Sequence, residues 1–246
     1  MITASKSTLW EYAWRAYLYW MFQKQFHTLL VAGSTHLKAI DDKKPVLAIS
    51  NHSNWWDGFV ILLLTRLIPH KQHYLMMEEQ HLMKYPFFRK LGAFSVNLDN
   101  AHSAGISVRY CLRLLQNEKT VIWMFPQGRM LPAKEQLEFR KGASFLASRT
   151  KNCVILPLAL RYEFLTEQRP IVLARFGEAR CCLSHVDASL VTKLLHQIDQ
   201  DVLKRNFVDY EVFVKPRWSV NKKWEFLWHL LQRKMSDFQK ENQYRN

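Results

Sequence analysis

At 246 residues, with 48% hydrophobic and 23% charged side chains, the chain is long enough to bury a core without disulfides, and its composition excludes a disordered tail, a collagen-like rod or a coiled coil. Thirty-five Lys and Arg against 21 Asp and Glu leave a formal charge of +14, which draws polyanions: nucleic acid, an anionic bilayer, or an acidic protein or cofactor. Cys111, Cys153, Cys181 and Cys182 include no C-x-x-C pair, which argues against a zinc finger or a disulfide-stapled secreted domain and for a reducing, cytoplasmic compartment.

The first element in the chain is an aromatic-rich helix from Leu9 to Phe22. Trp and Tyr favour the bilayer interface, because their rings are apolar while an N–H or O–H wants water. Arg15, Gln23, Lys24 and Gln25 interrupt the run before it reaches the roughly 18–20 apolar residues of a spanning helix, and it lacks the leader and cleavage site of a signal peptide. Two readings stand: a helix lying on or dipping into a membrane, or one packed on the domain's own core. Short apolar runs then alternate with helical patterns. Strands are expected at Pro45–Ser50, His73–Met77, Phe94–Val96, Thr120–Phe125, Cys153–Leu160 and Ile171–Phe176. Helices are expected at Trp56–Leu67, Ala104–Gln116, Gly142–Ser148 and Leu190–Leu203. This alternation predicts an α/β fold with a mostly parallel central sheet flanked by helices. The segment Trp218–Lys240 sets Trp224, Phe226 and Trp228 among lysines and arginines, and reads either as a basic amphipathic membrane helix or as a helix docked on the sheet. The expected organisation is an interfacial helix at 1–33, a main domain at 34–215 and a basic amphipathic helix at 216–246.

Chemistry is concentrated at two strand ends. In Ser50-Asn-His-Ser-Asn-Trp-Trp-Asp-Gly58, His52 and Asp57 would stand about 140° apart on a continuous helix, out of contact. A turn between the strand and a helix starting near Asn54 or Trp55 folds His52 back, so that Asp57 accepts from one ring nitrogen and leaves the other as a base. Met124-Phe-Pro-Gln-Gly-Arg129 also follows a strand, with Pro126 ending the ladder and Gly128 permitting a tight turn. Ligand loops in parallel sheets sit at strand carboxyl ends, so both motifs can face one crevice.

With those residues in view, the sequence resembles the glycerophospholipid acyltransferase family typified by bacterial 1-acyl-glycerol-3-phosphate acyltransferases (PlsC type). Asn51–Asp57 resembles its NHxxxxD motif, Trp123–Arg129 its WMFPEGTR motif, Phe139–Ala143 its F-K-x-G-A segment, and Val154–Leu158 its last, proline-centred motif, all in family order. The resemblance implies acyl transfer from acyl-CoA or acyl carrier protein to a lipid hydroxyl, with His52 as general base and Asp57 supporting it. It further implies substrate contacts at Asn51, Asn97, Phe125, Pro126, Gln127, Gly128, Arg129, Arg140 and Lys141, and no metal or redox cofactor. A peripheral or monotopic protein on the cytoplasmic membrane face is expected.

Three departures bear on the acceptor. Leu98 falls where the family's second motif carries an arginine thought to hold phosphate, Gln127 replaces a glutamate, and the threonine before Arg129 is missing. An aliphatic side chain makes no charge-assisted bond to phosphate, so an uncharged acceptor such as a glycolipid or other lipid alcohol is expected, with lysophosphatidate as the alternative. A non-catalytic lipid-binding relative is a further alternative, against which His52 and Asp57 argue. Nucleic-acid binding is disfavoured, because no binding motif is present and the aromatics cluster with aliphatic residues. His70, His73, Glu78, Glu79 and His81 are scattered by the strand and helix periods instead of forming a metal site, and Ser53 and Ser144 lack a G-x-S-x-G elbow.

Overall fold

The computed structural model describes residues 1–150, 152–181, 185–216, 223–229 and 232. The helices are α1 (Thr8–Gln25), α2 (Thr35–Lys38), α3 (Asp57–Leu64), α4 (Glu79–Lys84), α5 (Ala101–Leu114), α6 (Gly142–Arg149) and α7 (Ser189–Leu203). The strands are β1 (Leu29–Ala32), β2 (Val46–Ser50), β3 (Gln72–Glu78), β4 (Ala93–Val96), β5 (Thr120–Met124), β6 (Val154–Glu163), β7 (Ile171–Phe176), β8 (Arg180–Cys181) and β9 (Tyr210–Val214).

One sheet runs β4-β3-β5-β2-β6-β7-β1-β9, with β8 beside the start of β6. The pairs from β4 through β6 are parallel, β6–β7 and β1–β9 are antiparallel, and β7–β1 is parallel, so the sheet is mostly parallel. Its central strands, Val-Leu-Ala-Ile-Ser in β2 and Thr-Val-Ile-Trp-Met in β5, are buried at every position, as strands covered on both faces must be. The pleat deals alternate residues to two cores. Val46 and Ala48 join Leu18 and Phe22 of α1 and Phe59 and Ile61 of α3, while Leu47 and Ile49 join Cys111 of α5, Leu146 of α6 and Ile198 of α7. Both chemical motifs therefore leave a sheet that is held rigidly from two sides.

The first segment is not separable from the main domain. The expected boundary at residue 33 is corrected by β1, which lies between β7 and β9, and by Ile2, whose carbonyl accepts from Ser95 N–H at 2.8 Å. No local pattern marks β1 in the sequence, because Leu-Leu-Val-Ala is a four-residue apolar run too short to carry a period of its own. α1 packs on the core through buried Leu18 and Phe22, while Leu9, Trp10, Tyr12, Tyr17 and Trp20 are exposed. The expected helix Trp56–Leu67 is α3 followed by a 3-10 turn at Thr65–Leu67. Residues 223–229 are helical with Trp224, Leu227 and Trp228 exposed; the rest of the expected C-terminal helix, including Trp218, Leu230, Leu231, Arg233 and Lys234, lies outside the described residues, as does Cys182.

Candidate active site

The strand–turn–helix from β2 to α3 builds the first half of the site. Main-chain pairing of β2 with β6 ends at Ser50–Leu158, and the next rung is supplied by a side chain. Asn51 Nδ2 donates to Leu160 O at 3.0 Å and its Oδ1 accepts from Leu160 N–H at 2.8 Å. Only 3% exposed, Asn51, expected among the substrate contacts, is a clamp between strands and does not line the cavity beside His52.

The chain then turns, and His52 Nδ1 comes within 2.8 Å of Asp57 Oδ2, the first residue of α3. Asp57 is fully buried, which is tolerable for a carboxylate only when its oxygens are satisfied. Oδ2 also accepts from Ser53 N–H at 2.7 Å and Asn54 N–H at 2.9 Å, and Oδ1 accepts from the Tyr162 hydroxyl at 2.6 Å. These four donors satisfy both oxygens, as a buried carboxylate requires. With the carboxylate charged, Nδ1 of His52 carries a proton and donates it, and Nε2 is the basic nitrogen. No protein group among the described residues bonds Nε2.

The second half comes from the loop after β5, and the two halves are laced together. Phe125 stacks on the His52 ring at 4.3 Å between centroids, Gln127 Oε1 accepts from His52 N–H at 2.5 Å, and His52 O accepts from Leu131 N–H at 2.9 Å. Gly128 has φ +70°, and a Cβ there would come within 2.9 Å of Leu98 Cδ1 and 2.7 Å of Arg140 Nε. The positive φ favours glycine, and the flexible ends of Leu98 and Arg140 close over it.

His52 lies on the wall of a cavity of about 410 Å³ lined mainly by apolar groups, among them Phe59, Leu75, Val96, Leu98, Val108 and Leu146. Phe125, Pro126, Gly128, Arg129 and Arg140 share that wall, and Arg129 and Arg140 are exposed at its mouth without an ion pair among the described residues. The other expected substrate contacts fall elsewhere. Asn97 does not line this cavity; its Nδ2 donates to Glu79 at 3.3 Å and its Oδ1 accepts from Asp99 N–H. Lys141 is exposed at the N-terminus of α6, off the wall. Gln127 is buried behind the loop holding His52, and its Nε2 finds no partner.

The histidines and acids near β3 are dispersed. His73 is buried, accepting from Trp123 Nε1–H at 3.1 Å and donating to Ile68 O at 2.9 Å, while His81 pairs with Glu78 at 3.1 Å. Tyr162 was missed by sequence reasoning, and no local signal marks it, since it stands 105 positions from its partner.

The fold and site are those of a mostly parallel α/β domain with a His–Asp pair on the wall of an apolar cavity. Residues 29–161, more than half of the chain, match the acyltransferase family, and the chain belongs to it. Among curated proteins it is similar to one of Caenorhabditis elegans that carries the name 1-acyl-sn-glycerol-3-phosphate acyltransferase acl-2, 27% identical over 150 residues. The match takes in 59% of this chain and 50% of that protein, so the chain spans about half the length of its relative. Among solved structures it is similar to the 1-acyl-sn-glycerophosphate acyltransferase PlsC from Thermotoga maritima, with a TM-score of 0.47 and 17% identity over 77% of this chain and 81% of that one.

Proposed function

We propose that the protein transfers a fatty acyl group from a thioester of CoA or acyl carrier protein to the free hydroxyl of a lysophosphatidate-type lipid. The carrying observation is the unbonded Nε2 of His52 on the wall of an apolar cavity, with Nδ1 held by buried Asp57. The acyl chain occupies the cavity and brings its thioester carbonyl to His52. Nε2 takes the acceptor's proton as the hydroxyl oxygen attacks that carbonyl, and Asp57 stabilises the imidazolium. Collapse of the tetrahedral oxyanion breaks the C–S bond, and the leaving thiolate takes the proton back from Nε2. No acyl-enzyme intermediate is needed.

The uncharged acceptor expected from Leu98 gives way here to a phosphate-bearing one. The exposed guanidinium groups of Arg129 and Arg140, without an ion pair among the described residues, stand at the mouth of the cavity, where two charge-assisted bonds can replace the missing arginine. The name of the nematode relative supports the same acceptor. The exposed aromatic side of α1 supports a peripheral or monotopic position at the cytoplasmic membrane face. Lys24 lies 3.6 Å over the ring of Trp20 and Lys90 4.4 Å over that of Trp10, so cations accompany the aromatics as an anionic interface requires. No helix among the described residues is long and apolar enough to cross a membrane.

The test is transfer of labelled acyl groups from acyl-CoA and from acyl carrier protein to lysophosphatidate or monoacylglycerol. Lysophosphatidate is expected to have the higher kcat/KM by tenfold or more, about 1.4 kcal/mol in the transition state. Arg129→Ala with Arg140→Ala should erase that preference, and His52→Ala should abolish transfer. A preference for monoacylglycerol restores the uncharged acceptor, and transfer that survives His52→Ala removes the mechanism.

A further inference from the structure

We infer that Tyr162 is a positioning residue that sets the basicity of the His52–Asp57 pair. The inference rests on the base role proposed for His52.

The four donors on Asp57 are unevenly divided. Oδ2 receives His52 Nδ1–H and the backbone N–H groups of Ser53 and Asn54, whereas Oδ1 receives only the Tyr162 hydroxyl at 2.6 Å. That length is typical of a hydroxyl donating to an ionised carboxylate, a bond roughly twice as strong as one between neutral groups. Two of the other donors are main chain and the third is the base itself. Among the described residues, Tyr162 is thus the one side chain outside the pair that bonds the carboxylate.

The fold holds the phenol firmly at that point. Tyr162 pairs with Val172 in the β6–β7 ladder, and its ring packs against Phe26, just beyond α1, at 5.6 Å between centroids. Phe26 in turn meets Trp56, the residue before Asp57, edge to face at 5.2 Å. Burial, and then the adjacent Asp57 charge, hold the phenol's pKa well above its ordinary value of 10.0, so the hydroxyl remains a donor throughout the working range.

A donor on Oδ1 draws charge from the carboxylate and weakens its pull on the His52 proton. The imidazolium formed when Nε2 takes a proton is then stabilised less. Without the hydroxyl, Asp57 becomes the stronger partner and holds the imidazolium more tightly. Glu78, His81, Tyr85, Arg129 and Arg140 share the cavity wall with His52, but none is bonded to the pair, and all remain when Tyr162 is changed.

The experiment is the pH dependence of kcat/KM for Tyr162→Phe, which keeps the ring and its packing. The acidic limb is expected to move to higher pH by about 0.5–1 unit, with the KM for the acyl donor unchanged. The same substitution in an Asp57→Asn background should leave the limb where that background puts it. Should Tyr162→Phe fail to fold, 3-fluorotyrosine at position 162 provides the opposite perturbation: a more acidic phenol donates more strongly and moves the limb to lower pH. An unmoved limb in a folded variant, or an equal shift in the Asp57→Asn background, overturns the inference. His52→Ala that retains turnover defeats the base role instead, so the two failures are distinguishable.

Discussion

Replacing Asn51 by alanine should destabilise the protein without altering how it binds substrate. Its amide occupies the position just past the end of the β2–β6 ladder, bonding both the N–H and the C=O of Leu160 at 2.8 and 3.0 Å. Leu160 is itself fully buried. Truncation removes two hydrogen bonds and leaves two main-chain groups unpaired, each costing about 1–3 kcal/mol unless water enters. With partial recovery by a water molecule in the vacated space, a net loss of about 2–4 kcal/mol is expected. At roughly 2–4 °C per kcal/mol for a domain of this size, Tm should fall by about 5–15 °C. The assay pairs thermal melting with KM for the acyl donor and acceptor well below the new Tm, where KM should be unchanged because Asn51 is absent from the cavity wall. Unchanged Tm with a raised KM would refute the argument and return Asn51 to the substrate contacts.

Two further outcomes follow from burial and exposure. Burial lowers the His73 pKa from 6.5 to about 4, so the unfolded chain binds a proton that the folded one refuses as pH falls from about 6.5 to about 4. Stability present above pH 6.5 is lost across that window, by up to about 3 kcal/mol for a shift of about 2.5 units, and melting of His73→Gln over the same range should show a shallower decline. On α1, changing exposed Trp10, Tyr12 and Trp20 to serine should lower flotation with anionic vesicles severalfold and leave Tm within a few degrees, since the buried contacts of that helix are Leu18 and Phe22. Lost Tm with unchanged flotation would make α1 a core helix alone.

The parts of this protein legible in its sequence are those governed by short-range geometry. Alternating apolar runs and helical periods gave the parallel sheet, because a strand buried on both faces must be apolar throughout, as β2 and β5 are. His52 and Asp57 are five residues apart across a strand–turn–helix, so covalent geometry alone keeps them within reach, and Phe125 to Arg129 are tied to a strand end in the same way. The resemblance set Asn51 among the substrate contacts and gave no sign of its strand partner. Its partner Leu160 lies 109 positions away and is brought there by the register of β6 against β2.

Tertiary structure alone decided which side chains complete the site. Tyr162 reaches Asp57 because β6 runs on past the end of β2, and Leu98 and Arg140 both come close to Gly128 because the connections after β4 and β5 converge at one end of the sheet. The place of β1 between β7 and β9 was equally hidden, since four apolar residues after an apolar helix carry no period of their own. A local pattern reports the bonds a segment makes with itself and the face it buries. Which distant group meets that face depends on strand order and register, and these are settled only when both cores pack at once.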